Sequence, residues 1–205
     1  MELDPRDLSH TAMYKLLIGC VVPRPIAWVS TVGEDGVHNL APFSFFMGVC
    51  PDPPTIAFSS GPRDGAKKDT VRNLEHTGDF VVNVVDDAHA EQMNVTSGEY
   101  PPGVDEFTLA GLQAAPGVRV RAPRLASAPI SLECRVAQIF RMGRGPHSLV
   151  LGEIVHLHVR DDLYDGATGR IDVRRLGPVG RLAGNLYTHV HDIFEMKRPN
   201  ENYRG

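Results

Sequence analysis

"NLAPFSFFMGVCPDPPTIAFSSGPRDGAKKDT", residues 39–70, sets an apolar run, a proline cluster, small hydroxyls and three cations side by side. A core strand accounts for the first part and a surface loop for the second, but neither accounts for their adjacency. Working outward, the flanks read as β-structure. Pro23 and Pro25 exclude helix, and Ile26 to Val32 is rich in β-formers. "GEDG" (33–36) is a hairpin signal, so "VHNLAPF" (37–43) pairs back as a second strand. "TIAFSSG" (55–61) is a third strand and "RDGAKK" (63–68) a loop. Asp69 is placed to cap a short helix to about Thr77, with Gly78 as its stop. "DFVVNVV" (79–85) is a further strand, and a helix is expected from about Ala88 to Asn94.

The rest of the chain extends this pattern. "DLSHTAMYKLLIGCV" (7–21) reads as a short helix capped by Ser9 or Thr11, with Met13, Leu16 and Leu17 on one face. Residues 97–128 are a Pro/Gly-rich connection with weak structure. "ISLECRVAQIF" (130–140) alternates Ile130, Leu132, Cys134 and Val136 on one face, and "SLVLGEIVHLHV" (148–159) is its partner. "GRLAGNLYTHV" (180–190) suggests a last turn and strand. Six or seven strands joined by short helices predict a mainly β fold, an antiparallel barrel with short peripheral helices. No G-x-G-x-x-G phosphate turn of the doubly wound sheets occurs.

Bulk composition narrows the function. The 205 residues are 42% hydrophobic and 22% charged, as in ordinary globular proteins, and suit one domain over 1–205. The net charge is −4, which argues against nucleic acid or anionic membrane as partner. "MELDPRDLSH" lacks the basic-then-apolar start of a signal peptide, and no apolar run approaches the ~20 residues of a membrane span. Cys20, Cys50 and Cys134 are far apart and odd in number, so a reducing cytoplasm is the expected location, and for Cys50 a buried structural thiol is the default. The polar end from about residue 196 is expected to be a dispensable arm or a partner contact.

"PRPIAWVSTVGEDGVHNLAPFSFF", "DPPTIAF" and "KDTVRNLEHTGDFVVNVV", in that order, resemble the flavin reductase-like family, whose fold is the FMN-binding split barrel of the flavoredoxin type. "PHSLVLGEIVHLHV" and "GRLAGNLY" continue the resemblance more thinly. The family likeness implies an antiparallel split β-barrel, FMN at or near the interface of a homodimer, and NADH or NADPH as electron source. A small-molecule or protein acceptor would take the electrons.

Elementary chemistry agrees with that implication. FMN needs an apolar slot for its ring and a cationic nest for its phosphate. Ala41 and Pro42 are small enough for close backbone approach, and Asn39 and Ser44 can reach the ring edge. Ser59, Ser60, Gly61, Arg63, Lys68 and Thr70 suit the phosphate end, because hydroxyls, cations and a helix start all favour an anion. Arg24 is held between two prolines, and the family likeness places it near the flavin. The same likeness puts His147 beside the nicotinamide, whereas its place at a loop-to-strand junction equally suits a surface polar residue. Phe43, Phe45 and Phe46 read as core or dimer packing, and Trp28 as strand packing.

Two other readings stand beside this one. An FMN-carrying electron-transfer protein needs no nicotinamide site. A cupin-like metal enzyme would use the pairs His156/His158 or His189/His191, with Glu195 completing "GNLYTHVHDIFE". That motif is one residue short, and no chain remains for the second cupin motif. No metal is therefore expected.

Overall fold

The computed structural model describes residues 1–197 and 199. Seven strands form one sheet: β1 (Ala27–Val32), β2 (His38–Phe43), β3 (Phe46–Pro51), β4 (Pro54–Ser60), β5 (Asp79–Val84), β6 (Ile130–Met142) and β7 (His147–Val159). Their order is β2-β1-β5-β6-β7-β4-β3, and every neighbouring pair is antiparallel. The two edge strands, β2 and β3, are separated in sequence by Ser44 and Phe45 alone. The sheet must therefore curl until its edges meet, leaving a barrel with a seam at that corner. The β3–β4 ladder runs into that corner, where Ser59 N donates to the Phe45 carbonyl at 2.8 Å.

Period-two alternation fills both faces of the wall. Ala27, Val29, Phe43, Phe58, Phe80, Val82 and Val150 point into the barrel. Ile26, Trp28 and Leu40 point outward into a second core with Met93, Phe107 and Leu125. Trp28 is fully buried there and donates its indole N–H to Thr96 Oγ1 at 2.8 Å. Burial of both faces explains why β1 reads as a nearly continuous apolar run.

Helix α1 (His10–Cys20) is capped by Ser9, whose Oγ accepts from Ala12 N. The turn before β2 closes as its sequence requires: Gly36 takes φ +82, and Asp35 accepts from Val37 N. Helix α2 (Asp69–Thr77) ends at left-handed Gly78, but Asp69 is its first helical residue. Lys68 holds the cap position, no side chain caps α2, and the Asp69 carboxylate turns instead to Arg72. A single 3-10 turn (Asp87–His89) leads into α3 (Ala90–Val95).

Three further expectations change. Strand β3 has no counterpart among the expected strands, because its solvent-facing edge carries no alternation to read. Cys50, expected as a buried thiol, lies exposed on β3 with its Sγ against the Pro53 carbonyl; of the other two cysteines, Cys20 is exposed and Cys134 buried. The 97–128 connection is more ordered than its composition suggests. It holds a helical turn at Glu106–Leu109 and a two-stranded ladder at Ala114–Ala115 and Arg124–Leu125. Its backbone amides are satisfied by buried acceptors: Glu133 takes Val118 N and Arg119 N, Asp79 takes Arg121 N and Ala122 N, and Asn83 takes Leu125 N. Those acceptors sit on strands, far from the loop in sequence.

A last ribbon pairs β8 (Val179–Arg181) with β9 (Tyr187–His189) and is tied to the barrel at Arg24–Arg181. Among the described residues no helix is long and apolar enough to cross a membrane. Of the expected C-terminal arm, Met196 and Lys197 are described and exposed; residues 200–205 lie outside the described residues.

Candidate active site

The seam corner and the end of β4 line one side of a cleft of about 600 Å³. Pro42, Phe43, Ser44 and Phe45 come from the corner, Ser59 and Gly61 from the end of β4, Lys68 from the start of α2, and His147 from the start of β7. Helix α1 faces them with Met13, Tyr14 and Leu17. A second lobe of about 460 Å³ shares Tyr14, Pro42, Ser44 and Lys68, and adds Arg24, Arg181, Asn185 and Tyr187. The apolar run and the cationic loop of residues 39–70 are adjacent in sequence because the β3–β4 hairpin brings them back to one cavity.

Lys68 stands where the lobes join. Its ammonium lies 5.6 Å over the Phe43 ring, with no carboxylate partner among the described residues. Burial, and then the charge of Arg63, hold its pKa below the usual lysine value. Gly61 packs closely on His147: a Cβ there would lie 3.3 Å from His147 Nε2, so the imidazole would have to give by a few tenths of an ångström. Neither lobe is lined by a carboxylate among the described residues, whereas Arg24, Lys68 and Arg181 all reach the cavity.

Arg24 is a buried clamp. Its guanidinium donates to the carbonyls of Ile18 at 2.7 Å, Val21 at 2.6 Å and Leu182 at 2.8 Å, and its Nε to Ser44 Oγ at 3.3 Å. Burial, and then the nearby Arg181, lower its pKa. It therefore joins the end of α1 to the turn after β8 and to the seam corner. Arg24→Ala leaves those carbonyls without their donor and is expected to cost about 2 kcal/mol. Equilibrium urea unfolding checks this; an unshifted midpoint would contradict the clamp.

The other sequence-chosen residues stand further back. Asn39 donates to Thr70 Oγ1 at 3.0 Å, so the two tie β2 to α2 instead of lining the cleft. Asn39 faces a separate cavity of about 560 Å³ beside His38 and Asn73. Ala41 packs on the barrel core. Ser60 is buried, its hydroxyl against the Gly61 carbonyl. Arg63 donates to the Tyr100 carbonyl and reaches the cleft through its field at Lys68.

Arg181, Asn185 and Tyr187 went unchosen in the sequence. They belong to "GRLAGNLY", where the signal was a family motif without an obvious charge cluster. Arg181 stacks over the Tyr187 ring at 4.3 Å and donates to the Tyr187 hydroxyl and the Gly184 carbonyl. The pair His156 and His158 lies elsewhere, edge to face at 4.8 Å, with His158 Nε2 2.6 Å from the buried Glu133 carboxylate.

A model of the flavin reductase like domain matches residues 18–174. The chain belongs to the flavin reductase-like family. Its barrel closely matches nitrilotriacetate monooxygenase component B from Bacillus cereus, with a TM-score of 0.92 and 34% identity, over 96% of this chain and 98% of that one. Similar too is 2-nitrobenzoate 2-nitroreductase NbaA from Pseudomonas fluorescens, at TM-score 0.90 and 31% identity over 98% of both chains. A putative flavin reductase with a split barrel domain from Shewanella frigidimarina shares the fold at TM-score 0.85 and 19% identity, over 97% of this chain and all of that one. The seamed barrel of this flavin reductase-like chain is therefore a split barrel, which excludes the cupin architecture. Arg181 and Tyr187 lie beyond the segment that the family model matches.

Proposed function

We propose that this flavin reductase-like protein is an FMN-dependent oxidoreductase: NADH or NADPH reduces the bound flavin, which passes electrons to a small-molecule or protein acceptor. The observation that carries the reading is the two-lobed cleft, apolar at the seam corner, cationic at Arg24, Lys68 and Arg181, and free of lining carboxylates among the described residues. Its volume falls within the few hundred to about 1,000 Å³ of small-molecule sites. Likeness to a monooxygenase component and a nitroreductase above 30% identity supports a redox role.

The residues present fit FMN. Lys68 and Ser59 would meet the phosphate, helped by the N-terminus of α2, which no side chain caps. Pro42, Ser44 and Phe45 would bound the ring, with α1 keeping water from it. When bound, the flavin supplies the electron-transfer chemistry, so the chain needs to orient two rings and exclude water, with no acid–base pair of its own. Anaerobic oxidation of NADH and NADPH with FMN present tests the reading. Turnover supports it; no turnover with a flavin that dithionite still reduces would make the protein an electron carrier.

His147 opens β7 at the cleft, on the side away from Arg181. If it orders the nicotinamide, His147→Ala slows flavin reduction about tenfold while FMN occupancy holds. Equal stopped-flow rates in parent and variant would leave His147 a packing partner of Gly61.

The working unit we propose is a homodimer. Large apolar side chains are exposed on α1 and on the strands β3 and β6: Met47 is 58% exposed, and Leu17, Val49, Phe140 and Met142 are each more than two-fifths exposed. Exposed apolar surface of this kind suits an interaction face. Sedimentation at micromolar concentration is expected to show a dimer; a monomer with FMN at full occupancy would contradict it.

A further inference from the structure

The histidine pair at the chain's end meets a carboxylate that the sequence did not point to. His189 closes β9, and the chain stays extended past it, with Val190 N donating to the Pro178 carbonyl at 3.2 Å. Residues 189 and 191 therefore leave the backbone on one side. Their imidazoles stack, with centroids 5.6 Å apart and planes 8° apart. Between them and the barrel stands Asp87, opening the 3-10 turn after β5. Its Oδ1 lies 2.5 Å from His189 Nδ1 and its Oδ2 2.9 Å from His191 Nε2. One ligand atom from each of the three lies within 4.8 Å of the others.

The carboxylate is fixed by its surroundings. Asp87 N donates to the Gly177 carbonyl at 3.0 Å, and a Cβ on Gly177 would come within 2.9 Å of Asp87 Oδ2. Gly177 takes φ +53, so both its conformation and its lack of a side chain let the backbone close on the acid. None of the three residues lines either lobe of the cleft.

We propose that Asp87, His189 and His191 form a surface site for a divalent transition-metal ion of the zinc class. Two imidazole nitrogens and one carboxylate are a three-ligand donor set that zinc and its neighbours accept, with water in the remaining positions. Calcium and magnesium prefer all-oxygen shells and are disfavoured. Both histidines are more than half exposed, which leaves the ion an entry path and room for water. Because Asp87 and His189 are 102 residues apart, a bound ion would staple the β5 turn to the C-terminal segment. Glu195, the acid that the cupin-like motif suggested, is not part of the cluster.

The test uses the full chain after chelator treatment and dialysis. Zn²⁺ is titrated by calorimetry and Co²⁺ by its visible absorption, against the parent, His191→Ala, Asp87→Asn and a Cys20→Ser/Cys50→Ser variant. One ion per chain at micromolar affinity is expected, kept in the cysteine variant and weakened at least tenfold in His191→Ala and Asp87→Asn. Absence of binding in the parent, or parental affinity in either site variant, would overturn the site and leave the trio a hydrogen-bonded clasp. Loss of binding only in the cysteine variant would assign the ion to the exposed thiols and likewise overturn it.

Discussion

Gly152→Val is expected to cost about 3 kcal/mol of stability, near the top of the range for overpacking a filled core. Gly152 sits in β7, paired with Val136 on one side and Ile56 on the other. Its φ is unremarkable, so space and not conformation requires glycine. A Cβ there would lie 2.4 Å from Phe80 Cζ and 3.3 Å from the Cys134 Cβ. Phe80 is fully buried and packs edge to face on Phe58 at 5.6 Å, so it has little room to retreat. Shortening the intruded-upon ring relieves the clash, and Phe80→Leu added to Gly152→Val should recover about 1 kcal/mol or more. Residues in contact couple by this much, whereas distant ones add independently. Denaturant unfolding of the two single variants and the double reads the coupling. A Gly152→Val protein that unfolds at the parental midpoint would contradict the packing of the barrel interior.

Lys68→Ala is expected to weaken FMN about ten- to hundredfold and to leave riboflavin nearly unchanged. A hydrogen bond to a charged group contributes about 1.5–3 kcal/mol, and each 1.4 kcal/mol is tenfold in affinity. Riboflavin lacks the phosphate, so it does not sense the missing ammonium. If Lys68 were only a solvated cation, both flavins would bind the variant as they bind the parent. If it held the fold, both would be lost together with thermal stability. Salt adds a second signature: the FMN difference between parent and variant should shrink as ionic strength rises. A third comes from pH. The free protein holds the Lys68 pKa below the usual lysine value through burial and the charge of Arg63. A neutral amine does not attract a dianion, so FMN affinity should fall as pH rises through that lowered pKa, before ordinary lysines titrate. Fluorescence titration of both flavins resolves these outcomes.

Much of the barrel is legible in the sequence because its signals are local. The run of β-formers along 26–32, the alternation along 130–136, the Gly-containing turn at 33–36 and the stop at Gly78 each follow from a few neighbouring residues. What stays illegible depends on contacts between distant segments. The order in the 97–128 connection comes from Glu133, Asp79 and Asn83, whose side chains accept its amides across as many as 43 positions. Strand β3 is an exposed edge, so burial imprints no alternation on it. The candidate site divides the same way. Ser59, Gly61 and Lys68 stand out because hydroxyl, glycine and cation cluster within ten residues. Asn39 and Thr70 look equally suitable, but each satisfies the other across 31 positions. Arg24 is marked by its flanking prolines, yet its guanidinium binds carbonyls of α1 and of the turn after β8. Arg181 gives no local hint because it reaches the cleft only once the ribbon β8–β9 docks beside Arg24. The Asp87 partner of His189 and His191 is hidden for the same reason.

The cleft between α1, the seam corner and α2 is tested most directly by FMN itself. The protein, stripped of small molecules and mixed with excess FMN, is passed over a size-exclusion column while absorbance is read at the protein and flavin bands. One FMN per chain eluting with the protein, and displaced neither by riboflavin at equal concentration nor by moderate salt, is the expected result. Protein that elutes without flavin from a micromolar excess of FMN would contradict the assignment of the cleft.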